Sequence, residues 1–217
     1  MDDRQLRQNV LDELEFDPSI YAVNIGVAVD GGVVTLSGHV GSYAEKLAAE
    51  RAACRVKGVR AIAQEIAVRY PDEKKTADDE IAKRALSILR WHAMLPEGVL
   101  NVTVEKGLVT LAGELHWDYQ RKAAEEAVRK LSGVVGVINN VALKPTVCVP
   151  DVKRKIEDAL ARHAQSEAYG IKVTVQEGNR VSLEGEVDNW EERDLVRDAA
   201  WSVAGVQSVE DHLTIAP

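Results

Sequence analysis

The sequence predicts an α+β protein built from three tandem α-β-β-α-β units, each with two helices packed on one face of a three-stranded mixed sheet. Three observations carry this prediction. The phrase VVTLSG at Val33–Gly38 returns as LVTLAG at Leu108–Gly113 and as RVSLEG at Arg180–Gly185. Shifts of 75 and then 72 residues bring six columns into identity: Val34, Val109 and Val181; Leu36, Leu111 and Leu183; Gly38, Gly113 and Gly185; Ala52, Ala127 and Ala199; Gly58, Gly133 and Gly205; Val59, Val134 and Val206. Hydrophobic period also switches in the same order in every copy, from helical to alternating and back, as one repeated supersecondary unit requires.

The first element of each copy is an amphipathic helix. Leu6, Val10 and Leu14, then Ile81, Ala85 and Leu89, then Val152, Ile156 and Leu160 recur at i, i+4 and i+8, so each set forms one apolar face. Alternating pairs follow: Val27 with Val29, Val102 with Val104, and Val173 with Val175. A glycine-containing turn (DGG, EKG or QEGN) then leads into the repeated phrase, which alternates in its turn. Two alternating runs around a tight turn make a β-hairpin with one buried face. The glycine closing each phrase marks a bend or a close backbone approach, because glycine otherwise only weakens a strand.

A second helix is expected from about Ser42 to Val56, with an alanine-rich buried face (Ala48, Ala49, Ala52 and Ala53) and a capping box formed by Ser42 and Glu45. The glycine twenty residues after the first one is expected to end the helix as its C′ residue. Ile66 with Val68, Val141 with Leu143, and Leu213 with Ile215 then form a closing strand. Short linkers at Tyr70-Pro71 and at Pro145–Pro150 set the expected domains at 1–70, 76–145 and 149–217. A core of this size rarely supplies more than about 3 to 5 kcal/mol, so the copies are expected to pack on one another.

This order of elements, with G-x-V-x-L-x-G, an alanine-rich helix and a following G-V, resembles the BON domain, named for a bacterial osmotically inducible protein and for nodulation proteins. The third copy departs from the pattern at the hairpin tip, where Gly178 stands one residue further from Val181 and Arg180 replaces an apolar residue. The resemblance implies non-enzymatic binding of phospholipid or envelope components and a role in osmotic or other stress. One relative, in which a BON domain is joined to a LysM domain, implies a second possibility, a cytoplasmic potassium sensor.

Composition narrows the partners. With 46% hydrophobic and 29% charged residues the chain is that of an ordinary globular protein, and its net charge of -8 opposes phosphate backbones, so no nucleic acid is expected. The start, MDDRQLRQNV, has no basic segment before an apolar run, which points to the cytoplasm, or to the periplasm if a signal peptide has been removed. Cys54 and Cys148 occupy non-equivalent positions and give neither a disulfide framework nor a paired metal spacing.

Catalytic constellations are not legible. His39, His92, His116, His163 and His212 form no i, i+4 pair and do not recur by column, and no serine lies in a G-x-S-x-G elbow. The acidic runs Asp78-Asp79-Glu80 and Glu191-Glu192 fit first helical turns, where carboxylates favour the positive end of the dipole. An enzyme is not expected, nor a cofactor, catalytic residue or metal site.

The ten aromatic residues are more informative. Tyr43, Trp117 with Tyr119, and Trp190 mark the entrance to the second helix in successive copies, while Trp91 and Trp201 lie off the buried stripes. Tryptophan and tyrosine at a wet boundary suit a membrane surface, a protein partner or a homo-oligomer contact. A local hydrophobic staple or a wedge between copies is the more usual role of an aromatic beside a helix start. These six residues are the candidate binding surface.

Overall fold

The computed structural model describes residues 2–70, 76–144, 151–162, 170–176 and 178–216; Cys148, His163 and most of both linkers lie outside them. The first copy comprises α1 (Asp3–Phe16), a short turn of 3-10 helix at Ala22–Asn24, β1 (Ile25–Asp30), β2 (Val33–Val40), α2 (Tyr43–Arg55) and β3 (Ala61–Val68). The second repeats this as α3 (Asp78–Trp91), β4 (Leu100–Glu105), β5 (Leu108–Leu115), α4 (Asp118–Arg129) and β6 (Gly136–Leu143). The third is α5 (Val152–Arg162), β7 (Lys172–Gln176), β8 (Arg180–Val187), α6 (Trp190–Ser202) and β9 (Ser208–Ile215). Among the described residues there are three separate three-stranded sheets, ordered β1-β2-β3, β4-β5-β6 and β7-β8-β9.

In the first sheet β1 runs antiparallel to β2, with Ile25 opposite Gly38 and Asp30 opposite Val33, while β2 runs parallel to β3, with Val34 opposite Ile62. The third sheet pairs in the same way. Period-two alternation sends Val34, Leu36 and Val40 to the helix side, where they bury against Leu6, Val10 and Leu14 of α1 and Ala48, Ala49, Ala52 and Ala53 of α2. Alanine at those four positions lets α2 approach the sheet closely. The expected stripes of α3 and α5 are buried too.

The glycine that closes each repeated phrase is a point of close backbone approach. A Cβ on Gly38 would lie 2.1 Å from the Asn24 carbonyl oxygen, one on Gly113 would lie 2.2 Å from that of Val99, and one on Gly185 would lie 2.7 Å from that of Gly170. All three also have φ between +114° and +146°. The second glycine column needs a correction. Helix α2 ends at Arg55 with Val56 as its C-cap, so Gly58 lies two residues beyond the cap and not at C′. There it is the third residue of a turn closed by Val59 N–H donating to Val56 O at 3.2 Å, and its φ of +96° is what a type II turn requires. Val134 with Leu131 and Val206 with Val203 close the same turn in the other copies.

The cap of α2 is reciprocal. Ser42 Oγ accepts from Glu45 N–H at 3.1 Å, and the Glu45 carboxylate accepts from Gly41 N–H at 2.9 Å. Asn189 and Glu192 repeat this around Asp188 at the start of α6. The acidic run of α3 occupies the first helical turn as expected, and Asp78 has a further duty there. The Asp78 carboxylate accepts from the N–H groups of Lys106 and Gly107, at 2.7 and 2.9 Å, and so clamps the β4–β5 turn. Asp3 holds Gly31 and Gly32 in the same way.

The chain divides into two compact units, Met1–Gly113 with Ala123–Asn140, and Glu114–Lys122 with Val141–Pro217.

Candidate binding surface

The six candidate aromatics fall into three environments. Tyr43, the first residue of α2, is half-buried; burial holds its phenol above the usual range, and a backbone hydrogen bond ties it to Val137 of β6, beside Glu125 and Arg129. Tyr70, just after β3, donates its hydroxyl proton to Val134 O at 2.7 Å, and burial raises its pKa too. Two tyrosines of the first copy thus grip the backbone at 134–137 of the second, within the first compact unit. Tyr43 acts as a wedge between copies.

In the second compact unit, Trp117 and Tyr119 stack with centroids 6.3 Å apart and ring planes 27° apart. They flank Asp118, which is 5% exposed and is bridged by Arg121 and Lys122. Lys122 also bonds Asp198 of α6, and the Arg121 guanidinium lies 4.7 Å from the centre of the Trp201 ring. Trp201 is half-buried against the third core, so it lies partly under cover where an exposed position was expected. Trp190 is half-buried as well, with Arg193 5.2 Å above its ring and held in turn by Asp211.

Trp91 is different. As the last residue of α3 it is 83% exposed, and Met94 in the following turn is 53% exposed. Nearby, Leu86, Leu89, Pro96 and Leu100 line a groove of about 580 Å³. Phe16 stands 75 residues earlier as the last residue of α1 and is 82% exposed. Its neighbours Tyr21 and Val23 are also exposed. Sequence reasoning passed over Phe16, although its column with Trp91 was available: an aromatic two positions past the buried stripe, at a helix end, is an aromatic with no core to enter. In both copies the hydrophobic residue four positions further on, Ile20 or Leu95, is buried.

Among the described residues no group of three or more His, Cys, Asp or Glu side chains is placed to hold a metal ion, and no helix is long and apolar enough to cross a membrane. His116 Nδ1 lies 2.8 Å from Lys144 O, His212 lies 4.0 Å from Glu210, and Cys54 is half-buried on α2.

A family model described as the BON domain matches residues 2–70, 77–145 and 149–217. The chain belongs to the BON-domain family. A curated relative, osmotically-inducible protein Y of Escherichia coli (strain K12), is 28% identical over 148 residues, which are 66% of this chain and 74% of that protein. Among solved structures, the C-terminal domain of CdsD, a structural protein of the type III secretion system of Chlamydia trachomatis, aligns over 100% of both chains at 14% identity with a TM-score of 0.28. The periplasmic domain of PrgH aligns over 95% of this chain and 100% of its own at 12% identity, with a TM-score of 0.25. The three BON copies share their scaffold and differ in what they expose. The first two end helix one on a bare aromatic, Phe16 or Trp91, and the equivalent position of the third, His163, lies outside the described residues.

Proposed function

We propose that this BON protein is a non-catalytic, stress-related protein of the cell envelope that works by touching a phospholipid surface through the ends of its first helices. Family membership and the relative named for osmotic induction support the stress and envelope parts. The observation that carries the lipid part is the exposure of Trp91 and Phe16 at one and the same position of two copies. An aromatic side chain that carries about 150 Å² from water into an apolar layer gains about 4 kcal/mol, at about 25 cal/mol per Å². One such anchor corresponds to affinities near the millimolar range, so the contact is weak and reversible.

The net charge of -8 adds nothing favourable at an anionic surface, where about 1 kcal/mol per basic residue is the usual gain. Neutral phospholipid vesicles should therefore bind at least as well as anionic ones. Vesicle flotation tests this: the chain should rise with neutral vesicles, and Trp91→Ala with Phe16→Ala should remain at the bottom. If the double variant floats like the parent, the helix ends are not the contact.

A further inference from the structure

The groove near Trp91 joins two chemistries in one wall. Leu86, Leu89, Pro96 and Leu100 make it apolar, and Arg90 and Glu97 line it as well. At about 580 Å³ it lies within the roughly 300 to 1,000 Å³ of small-ligand sites. Both charged side chains are exposed, and among the described residues neither takes part in an ion pair or a side-chain hydrogen bond. Opposite charges that line one groove without pairing leave two separate ends unmet. Their sum is zero, so a ligand of a single sign gains nothing from the two together: an anion that meets Arg90 also meets Glu97.

The first copy lacks this pair. The repeat offset of 75 sets Glu15 in the column of Arg90 and Ala22 in that of Glu97, so the end of α1 carries its bare aromatic, Phe16, without a cation and an anion beside it. The two helix ends share an anchor and differ in its surroundings. An anchor alone needs only an apolar layer. The charges beside Trp91 match a ligand that has an anion at one end and an ammonium at the other, kept apart by a spacer and attached to hydrocarbon. The headgroup of a zwitterionic phospholipid has this composition. Its phosphate accepts the paired hydrogen bonds that a guanidinium offers, its ammonium meets a carboxylate, and its acyl chains meet the leucines.

We propose that this groove seats the headgroup of a zwitterionic phospholipid, the phosphate on Arg90 and the ammonium on Glu97, while Trp91 enters the apolar layer beside it. The site rests on the lipid reading above and adds a headgroup preference that aromatic anchors do not supply. A headgroup with a phosphate and no ammonium sets Glu97 against like charge, which is how wrong partners are rejected.

Titration of the full chain with phosphatidylcholine vesicles, phosphatidylglycerol vesicles and nonionic detergent micelles tests the proposal. The parent should bind phosphatidylcholine more tightly than phosphatidylglycerol. Arg90→Gln and Glu97→Gln should each weaken binding to phosphatidylcholine about twofold to fivefold, the scale of one exposed charge contact, and leave binding to the micelles unchanged. The loss in Glu97→Gln is the sharper sign, because removing a negative charge from a chain of net charge -8 otherwise only eases the approach to phosphate. Glycerophosphocholine, the same headgroup without chains, should not compete at the headgroup concentration that the vesicles provide. Both side chains are exposed, so folding is spared, and circular dichroism verifies it. Charge variants that bind phosphatidylcholine like the parent, while Trp91→Ala does not, overturn the headgroup site and leave the lipid reading standing. A parent that binds neither vesicles nor micelles overturns both, and competition by glycerophosphocholine at equal concentration overturns the lipid as the ligand.

Discussion

Gly38 approaches the backbone of Asn24 so closely that a Cβ at that position would stand 2.1 Å from the Asn24 carbonyl oxygen. The same glycine has φ +114°, outside the range that L side chains adopt readily. Gly38→Ala should therefore cost about 2 to 4 kcal/mol, combining backbone strain with a clash that no rotamer relieves. Gly31→Ala, at φ +57° with nothing within 4 Å of its Cβ, should cost about 1 to 2 kcal/mol. Thermal unfolding of the two variants checks the order, and equal shifts would show that the strand does not need this approach.

Asp78 and Asp79 are neighbours with unlike duties. Asp78 accepts two backbone N–H groups of the β4–β5 turn, whereas Asp79 pairs with Lys83 across one turn of exposed helix. Asp78→Ala should cost about 1 to 3 kcal/mol by leaving two turn donors without their acceptor, and Asp79→Ala, at a fully exposed pair, should leave stability almost unchanged. Denaturant titration separates them.

Both repeats of the first glycine column and the first-helix stripes were legible because they follow from period and spacing alone. The duty of Asp78 was not. A carboxylate in a first helical turn satisfies the dipole argument whether or not it reaches across to a hairpin, and only the packing of α3 on its own β4–β5 turn decides. Gly58 was misplaced by one residue for a similar reason: a glycine after a helix fits both a C′ position and a following type II turn. Of the six candidate aromatics, periodicity found the positions but not the covers, since Tyr43 and Trp201 are shielded by Val137 and Arg121, which lie in other copies.

Tyr70 reports on the grip between the first two copies. Its hydroxyl proton is shared with Val134 O, so Tyr70→Phe should cost about 1 kcal/mol. Burial raises the pKa of Tyr70 and Tyr43 in the folded chain above the usual 10.0. A folded state that keeps a proton longer than the unfolded chain loses stability as pH rises. The contribution is complete below pH 10 and declines above it, towards the raised folded values. Stability measured against pH should fall on the alkaline side, and less steeply in the Tyr70→Phe, Tyr43→Phe double variant.

The lipid reading rests on Trp91 more than on any other side chain, because at 83% exposure it needs no rearrangement to reach a surface. The most direct measurement keeps Trp91 as the sole tryptophan, with Trp117, Trp190 and Trp201 changed to phenylalanine, and follows its emission against neutral vesicles whose acyl chains carry a bromine quencher. The expected result is a blue shift with quenching that saturates as lipid is added. Emission that stays at the water-exposed wavelength and unquenched at saturating lipid would contradict the claim that this helix end enters the membrane surface.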